Sequence, residues 1–282
     1  MDEILKACRK SAQEEGRCWA VMYDLSGLQS GNAQTVIADW KHLQEMLRPA
    51  GPDASYLRHR GKPLVALWGM GFSDRAPMLD DWRALIHFFK AEAVPGGCSL
   101  MLGVPAYWQT LNRDAIADAA LHTLMAEADV ISPWTVGRYD SPKGAAGYAA
   151  NTLTPDITWC RERKLDLLPV AFPGFSWHNL SKSRGREAKV DQIPRLGGRF
   201  LWSQCREFQN AGASMLYVAM FDELDEGTAI FKTRSDPPQG ESLFVAEKDV
   251  PGDHYLWLTG MAGQLLRGKL KAGDDALPAR KN

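Results

Sequence analysis

The sequence predicts an α/β protein of the (β/α)8 TIM-barrel type, incomplete, with about six βα units present. Three observations predict it. Short runs of almost unbroken apolar residues, the mark of strands covered on both faces, alternate with helical patterns. Polar or aromatic residues recur directly after those runs: Asp24, Trp68, Tyr107 and Trp108, Trp134 with Arg138, Trp177 with His178, and an acidic cluster at 222–226. No Gly-x-Gly-x-x-Gly follows an early strand and no phosphate-loop motif occurs, so a dinucleotide-binding sheet lacks its signature. In a (β/α) barrel the C-terminal strand ends form the active face, which is where these side chains fall.

The elements follow in order. Residues 1–16 read as a helix and 17–24 as a strand ending on Asp24. A helix at 35–47 places Val36, Ile37, Trp40, Leu43 and Leu47 on one face. The strand 62–69 precedes a helix at 79–91 with Trp82, Leu85, Ile86, Phe88 and Phe89. The strand 99–105 leads into Tyr107 and Trp108, and a helix at 113–127 into the strand 130–134. A helix around 144–163 is followed by the strand 167–174 and a long loop through Trp177 and His178. That loop is basic, with Lys182, Arg184, Arg186 and Lys189. A helix at 198–211, the strand 214–221, a short apolar piece at 242–246 and a helix at 254–267 complete the domain 1–268, and 269–282 reads as a flexible tail.

Composition narrows the function. At 282 residues, 45% hydrophobic and 24% charged, the chain has the make-up of an ordinary globular protein. A net charge of −1 gives no long-range pull toward nucleic acid or an anionic membrane. No apolar segment reaches the length of a membrane span, and the N-terminus lacks the features of a signal peptide. As written the chain is expected in the cytoplasm, with a longer parent periplasmic or secreted. Five scattered cysteines, none in a Cys-x-x-Cys pair, read as reduced and buried rather than as metal ligands. The ten tryptophans supply flat apolar faces of the kind that meet sugar rings. No metal and no cofactor is expected.

The chemistry concentrates at 214–227. The apolar run 214–221 ends in Asp222, Glu223, Leu224, Asp225, Glu226 and Gly227, four carboxylates within five positions. Crowded like charges raise one another's pKa, and glycoside cleavage needs one carboxyl held protonated and another held charged. Glu223 and Glu226 are the candidate catalytic pair, with Gly227 providing the backbone freedom for a turn between them. Asp24, Tyr107, Trp108, Trp134, Arg138, Trp177, His178 and Asp222 are candidate substrate contacts. For Asp24 and Asp222, loop bonding or capping competes with that role; for the aromatics, core packing does. The remaining histidines read as structural or surface residues.

The segment 221–231 resembles the acidic motif Asn-Glu-Trp-His-Glu-Gly of glycoside hydrolase family 99, which contains retaining endo-α-mannosidases and endo-α-mannanases. The whole chain is similar to a bacterial branch, family 71/99-like, labelled xylosidase/arabinosidase. The segments 23–27, 132–138 and 173–179 add to that likeness. The resemblance covers roughly 1–268 and begins at the helix before the family's third barrel strand, which implies a truncated barrel without the first two strands. It implies that Glu223 deprotonates or orients a sugar 2-hydroxyl, which attacks the anomeric carbon to give a 1,2-anhydro intermediate. It implies that Glu226 protonates the leaving oxygen and later activates water, with retention from the two displacements. Leu224 and Asp225 stand where better-studied members have Trp and His, so the substrate contacts differ. The expected activity is a retaining glycoside hydrolase acting on α-linked glycans. The alternatives are an inactive carbohydrate-binding barrel remnant, or a hard-cation site in the acidic cluster. Exposed barrel edges would offer a surface for self-association.

Overall fold

The computed structural model describes residues 2–48, 54–75, 77–238, 240–271 and 276–280. The expected tail 269–282 and residue 1 of the first helix lie partly outside these. The chain forms two compact units, Met1–Pro133 with Cys160–Asp166, and Trp134–Trp159 with Leu167–Asn282.

In the first unit, helix α1 (Asp2–Glu14) precedes strand β1 (Val21–Asp24) and helix α2 (Ala33–Met46). A two-residue strand β2 (Arg58–His59) turns antiparallel onto β3 (Lys62–Trp68), and α3 (Leu79–His87) continues through a π turn, Phe88–Glu92. Then come β4 (Ser99–Pro105), α4 (Ala120–Met125), β5 (Val130–Trp134) and, after an excursion into the second unit, β6 (Asp166–Leu167). The sheet order is β1-β3-β4-β5-β6, with β2 beside β3. β3 runs parallel to β1, from Val21 opposite Val65 to Asp24 opposite Trp68, and to β4, from Leu64 opposite Ser99 to Trp68 opposite Gly103. This open sheet with flanking helices is a partial (β/α)-barrel arrangement. Its β3 and β4 interiors are buried, as unbroken apolar runs require (Val65, Leu67, Leu100, Leu102 and Val104 are each 0% exposed). Trp40 packs edge-on against Phe89 at 5.4 Å, anchoring α2 to the turn after α3.

Two polar devices hold this unit. α2 receives no capping bond from Asn32. Instead, the Asp81 carboxylate on α3 accepts from Gly31 N at 2.9 Å and Ala33 N at 3.1 Å. Asp81→Ala is expected to destabilise the protein by about 1–3 kcal/mol, read from urea denaturation, because the buried Ala33 N–H loses its acceptor. At the N-terminal edge of the sheet, His59 Nε2 donates to Asp166 Oδ2 at 2.8 Å, and Ser99 Oγ donates to His59 Nδ1 at 2.6 Å. The carboxylate can only accept, which fixes this tautomer. The set has the residue types of a hydrolytic triad, but Ser99 is 1% exposed and its hydroxyl reaches no substrate. It is a strand clasp.

The second unit opens with α5 (Pro142–Tyr148), capped by Ser141 Oγ, a π turn at Ala149–Leu153, and α6 (Thr154–Glu162), which leads back to the first unit. Then follow β7 (Val170–Ala171), α7 (His178–Ser183), a 3-10 turn at Leu196–Gly198, α8 (Arg199–Asn210), β8 (Tyr217–Val218) and α9 (His254–Leu266). β7 and β8 pair in parallel. Phe172, Phe200 and Tyr139 form an aromatic core beneath them, with centroids 5.1–6.0 Å apart.

Several elements are shorter than the sequence pattern predicts. The helix expected at 113–127 survives only as α4. Asp114 accepts from Ala106 N and Tyr107 N, Asp118 accepts from Ala120 N, and Ile116 N donates to Gly71 O, so side chains and a distant carbonyl take the helical bonds. The strand expected at 167–174 divides into β6 and β7. Beyond β7 the Gln204 amide pairs with both Phe172 N and Phe172 O, replacing a neighbouring strand. The apolar piece 242–246 forms no element. Of the cysteines, Cys98, Cys160 and Cys205 are buried thiols, whereas Cys8 and Cys18 are exposed. No helix among the described residues is long and apolar enough to cross a membrane.

Candidate active site

The acidic loop belongs to the second unit. After β8 the chain leaves the parallel pairing and folds onto 228–231: Met220 N donates to Thr228 O, and Ile230 N to Met220 O. This return stroke ends the strand expected at 214–221 and throws 222–227 into a loop. Gly227 closes it, with its N–H on Leu224 O and a φ of 68°, the left-handed region glycine adopts without strain. A Cβ there would stand 2.9 Å from Val245 Cγ2.

The loop is braced from two sides. Ser176 N donates to Glu226 O at 2.7 Å, and Asn179 Nδ2 bridges Asp225 O and Leu243 O at 3.0 and 2.9 Å. On the other side the buried Arg195 guanidinium donates to Gly227 O and Ala229 O, while lying 4.5 Å from the Tyr255 ring centroid. Tyr255 in turn hydrogen-bonds Glu247, whose other oxygen accepts from Gly197 N.

Glu223 and Glu226 sit in different surroundings on this frame. Thr228, fully buried, directs its hydroxyl to Glu223 Oε2 at 3.2 Å and Glu223 O at 3.3 Å. Burial pushes the Glu226 carboxyl up to about 7; the neighbouring Glu223 and Asp225 charges add to the rise, and the Arg184 cation opposes it. A carboxyl poised near 7 beside a second carboxylate is suited to giving a proton and later taking one back. Asp222 is exposed; together with Glu223 it adds to the burial that pushes the Tyr217 phenol up to about 12. Among the described residues no three His, Cys, Asp or Glu side chains converge as a metal site would need.

Of the other sequence candidates, four share this unit. Trp177 is half-buried and packs on Phe175 at 4.4 Å, with its indole against Gly137, where a Cβ would come within 2.9 Å. Gly137, with φ 78°, thus keeps Trp177 beside the segment that carries the half-buried Trp134 and the exposed Arg138. Trp134 lies 6.2 Å from Tyr217. His178 is pinned through Nδ1 to Ala188 O at 2.7 Å. Asp24, Tyr107 and Trp108 lie in the first unit. Asp24 is exposed and one oxygen accepts from Ser26 N at 2.8 Å, the loop bond that competed with a sugar contact. Tyr107 is half-buried, 4.3 Å beneath the Arg113 guanidinium. Trp108 is 0% exposed and stands edge-on to His122, so it packs as core and presents no face to a ligand.

Sequence reasoning missed three contributors. Phe221, read as buried strand, is 59% exposed at the mouth of the loop. Tyr217 and Arg195 were passed over; an arginine directly before a Leu-Gly-Gly helix start carries no local signal of a bond to residues 32 positions away.

No protein-family model and no curated protein matches the chain. Among solved structures it is similar to two of the GH99 endo-alpha-mannosidase from Bacteroides thetaiotaomicron, one of them in complex with bis-tris-propane. Both superpose with a TM-score of 0.67 at 16% identity over 94% of this chain, and over 75% and 70% of theirs. A third, a glycoside hydrolase-like protein, gives 0.47 at 15% identity over 84% of this chain and 62% of that one. At this identity the likeness to the endo-alpha-mannosidase structures establishes a shared fold and nothing finer.

Proposed function

We propose that the chain is a retaining glycoside hydrolase acting on α-linked glycans, with Glu226 as general acid and then base and Glu223 as the assisting base. The observation that carries this reading is the Glu226 carboxyl, held up to about 7 beside Glu223 on one braced loop. The fold shared with an endo-alpha-mannosidase supports it.

In the first step Glu223 takes the proton of the sugar 2-hydroxyl as that oxygen bonds to the anomeric carbon. The glycosidic bond breaks, and the Glu226 carboxyl gives its proton to the departing oxygen. In the second step water attacks the anomeric carbon and opens the three-membered ring; Glu226 takes the water proton and Glu223 returns its proton to the 2-oxygen. Two inversions leave the configuration retained. Trp134, Trp177 and the exposed Phe221 supply apolar faces for sugar rings, and Arg138 a hydroxyl donor.

The test is a mass-spectrometric screen of α-linked oligosaccharides with the wild-type chain and Glu223→Gln. Cleavage by wild type, reduced about 10²-fold or more in the variant, is the expected outcome. Undiminished cleavage by the variant removes Glu223 from the reaction; glycan binding with no turnover by wild type indicates the non-hydrolytic reading instead.

A further inference from the structure

Next to the acidic loop the second unit carries a cleft of about 790 Å³, within the range of small-ligand sites. Its walls include His178, Lys182, Arg186 and Lys189 from the basic loop, and Leu243 from the segment opposite. Asn179 ties the two together: it follows His178 in sequence, and its side-chain amide bonds both Asp225 O in the acidic loop and Leu243 O on the cleft wall. Asn179 therefore links the acidic loop directly to the cleft wall.

The charges on that wall are not spent within the protein. Lys182 Nζ donates to the main-chain oxygen of Glu241 at 2.8 Å, a contact that holds the segment in place without neutralising the ammonium. Glu187 and the Glu241 side chain also line the cleft, yet among the described residues neither Arg186 nor Lys189 is ion-paired. The segment 182–189 holds four cations against one carboxylate, and Arg184 is near enough to oppose the rise in the Glu226 pKa. Because Ala188 O can only accept, His178 Nδ1 carries the hydrogen and Nε2 is left for another partner. Leu243, 46% exposed, adds an apolar patch of the kind that lies against a sugar face.

We infer that this cleft is a subsite for an anionic substituent, carboxylate or sulfate, on the glycan bound at the acidic loop. The inference rests on the glycoside hydrolase reading above and adds the substrate class to it. Arg186 and Lys189 face the anion, Lys182 holds the wall, and Leu243 meets the ring that bears the charge. Two charge-assisted contacts on a partly shielded wall correspond to a preference on the order of tenfold over the neutral glycan.

The experiment uses the full chain carrying Glu226→Gln, so that bound glycans persist. An array of acidic and neutral α-linked oligosaccharides at low salt identifies binders, and calorimetry compares each acidic binder with its carboxyl-reduced or desulfated form. The expected result is about tenfold tighter binding of the charged form, a gap that shrinks as salt rises and closes in an Arg186→Gln/Lys189→Gln double variant with an unchanged melting temperature. Retention of no acidic oligosaccharide, equal binding of charged and neutral forms, or a preference that survives the double substitution overturns the subsite. Inorganic sulfate competing as well as the oligosaccharide overturns its assignment to a glycan. Cleavage of neutral glycans by the parent chain without any acidic preference removes the subsite and leaves the hydrolase reading standing; acidic preference without turnover by the parent does the reverse.

Discussion

Glu226→Gln is expected to lower turnover of an α-linked glycan by about 10²–10⁴-fold while leaving the melting temperature near that of the parent at acidic pH. Glutamine keeps the shape of the side chain and removes the proton that the leaving oxygen needs. The parent should show a basic limb in its rate profile: the carboxyl must be protonated to act as the acid, and its pKa stands near 7, so the rate falls as pH rises through about 7. Stability carries the same sign. The folded pKa lies above the ordinary value of 4.5, so the folded state holds this proton more tightly than the unfolded one. The resulting stabilisation is complete below about 4.5 and is lost as pH rises through about 7. Melting curves at pH 5 and pH 8 should therefore differ more for the parent than for Glu226→Gln. Arg184 opposes the rise, so Arg184→Gln moves the basic limb to higher pH, and an unmoved limb would detach it from the site.

The rise at Glu226 was readable in outline because crowding contributes to it: four acids in five positions must repel wherever the chain goes. What the sequence understated is burial, the larger cause at Glu226, which depends on how 222–227 settles against Ser176 and Asn179. Strands 99–105 and 130–134 were legible to the residue, since buried parallel strands leave unbroken apolar runs. The strands at 167–174 and 214–221 carried the same signal and failed to extend, for reasons no local window contains. Gln204, on α8, substitutes its amide for a strand beside Phe172, and 228–231 folds back to take the hydrogen bonds of Met220 and Phe221. Aromatics after strands were an ambiguous signal for the same reason. Trp177 and Trp134 remain partly open, whereas Trp108, three residues past the end of β4, is sealed inside.

Arg195→Met should cost about 3 kcal/mol of stability and shift the Glu226 limb toward the ordinary carboxylate range. Arg195 is 7% exposed and its guanidinium makes three hydrogen bonds to two carbonyls, 3.2 and 2.9 Å to Gly227 O and 2.8 Å to Ala229 O. Methionine fills much of the volume but leaves both buried carbonyls without their donor, and bonds from charged donors are worth about 1.5–3 kcal/mol each. The Tyr255 face under the guanidinium loses its cation as well. Gly227 directly follows Glu226, so slackening its carbonyl loosens the turn that buries the acid, and burial is the first cause of the raised pKa. Arg195→Lys separates bracing from charge: a lysine restores the positive charge without the fork that spans two carbonyls. Urea denaturation and the pH profile of the same variants read the two effects together. If lysine restores both stability and the limb, the charge alone matters; if methionine destabilises the fold and leaves the limb in place, the acidic loop is held by Ser176 and Asn179, and Arg195 serves only the packing beneath it.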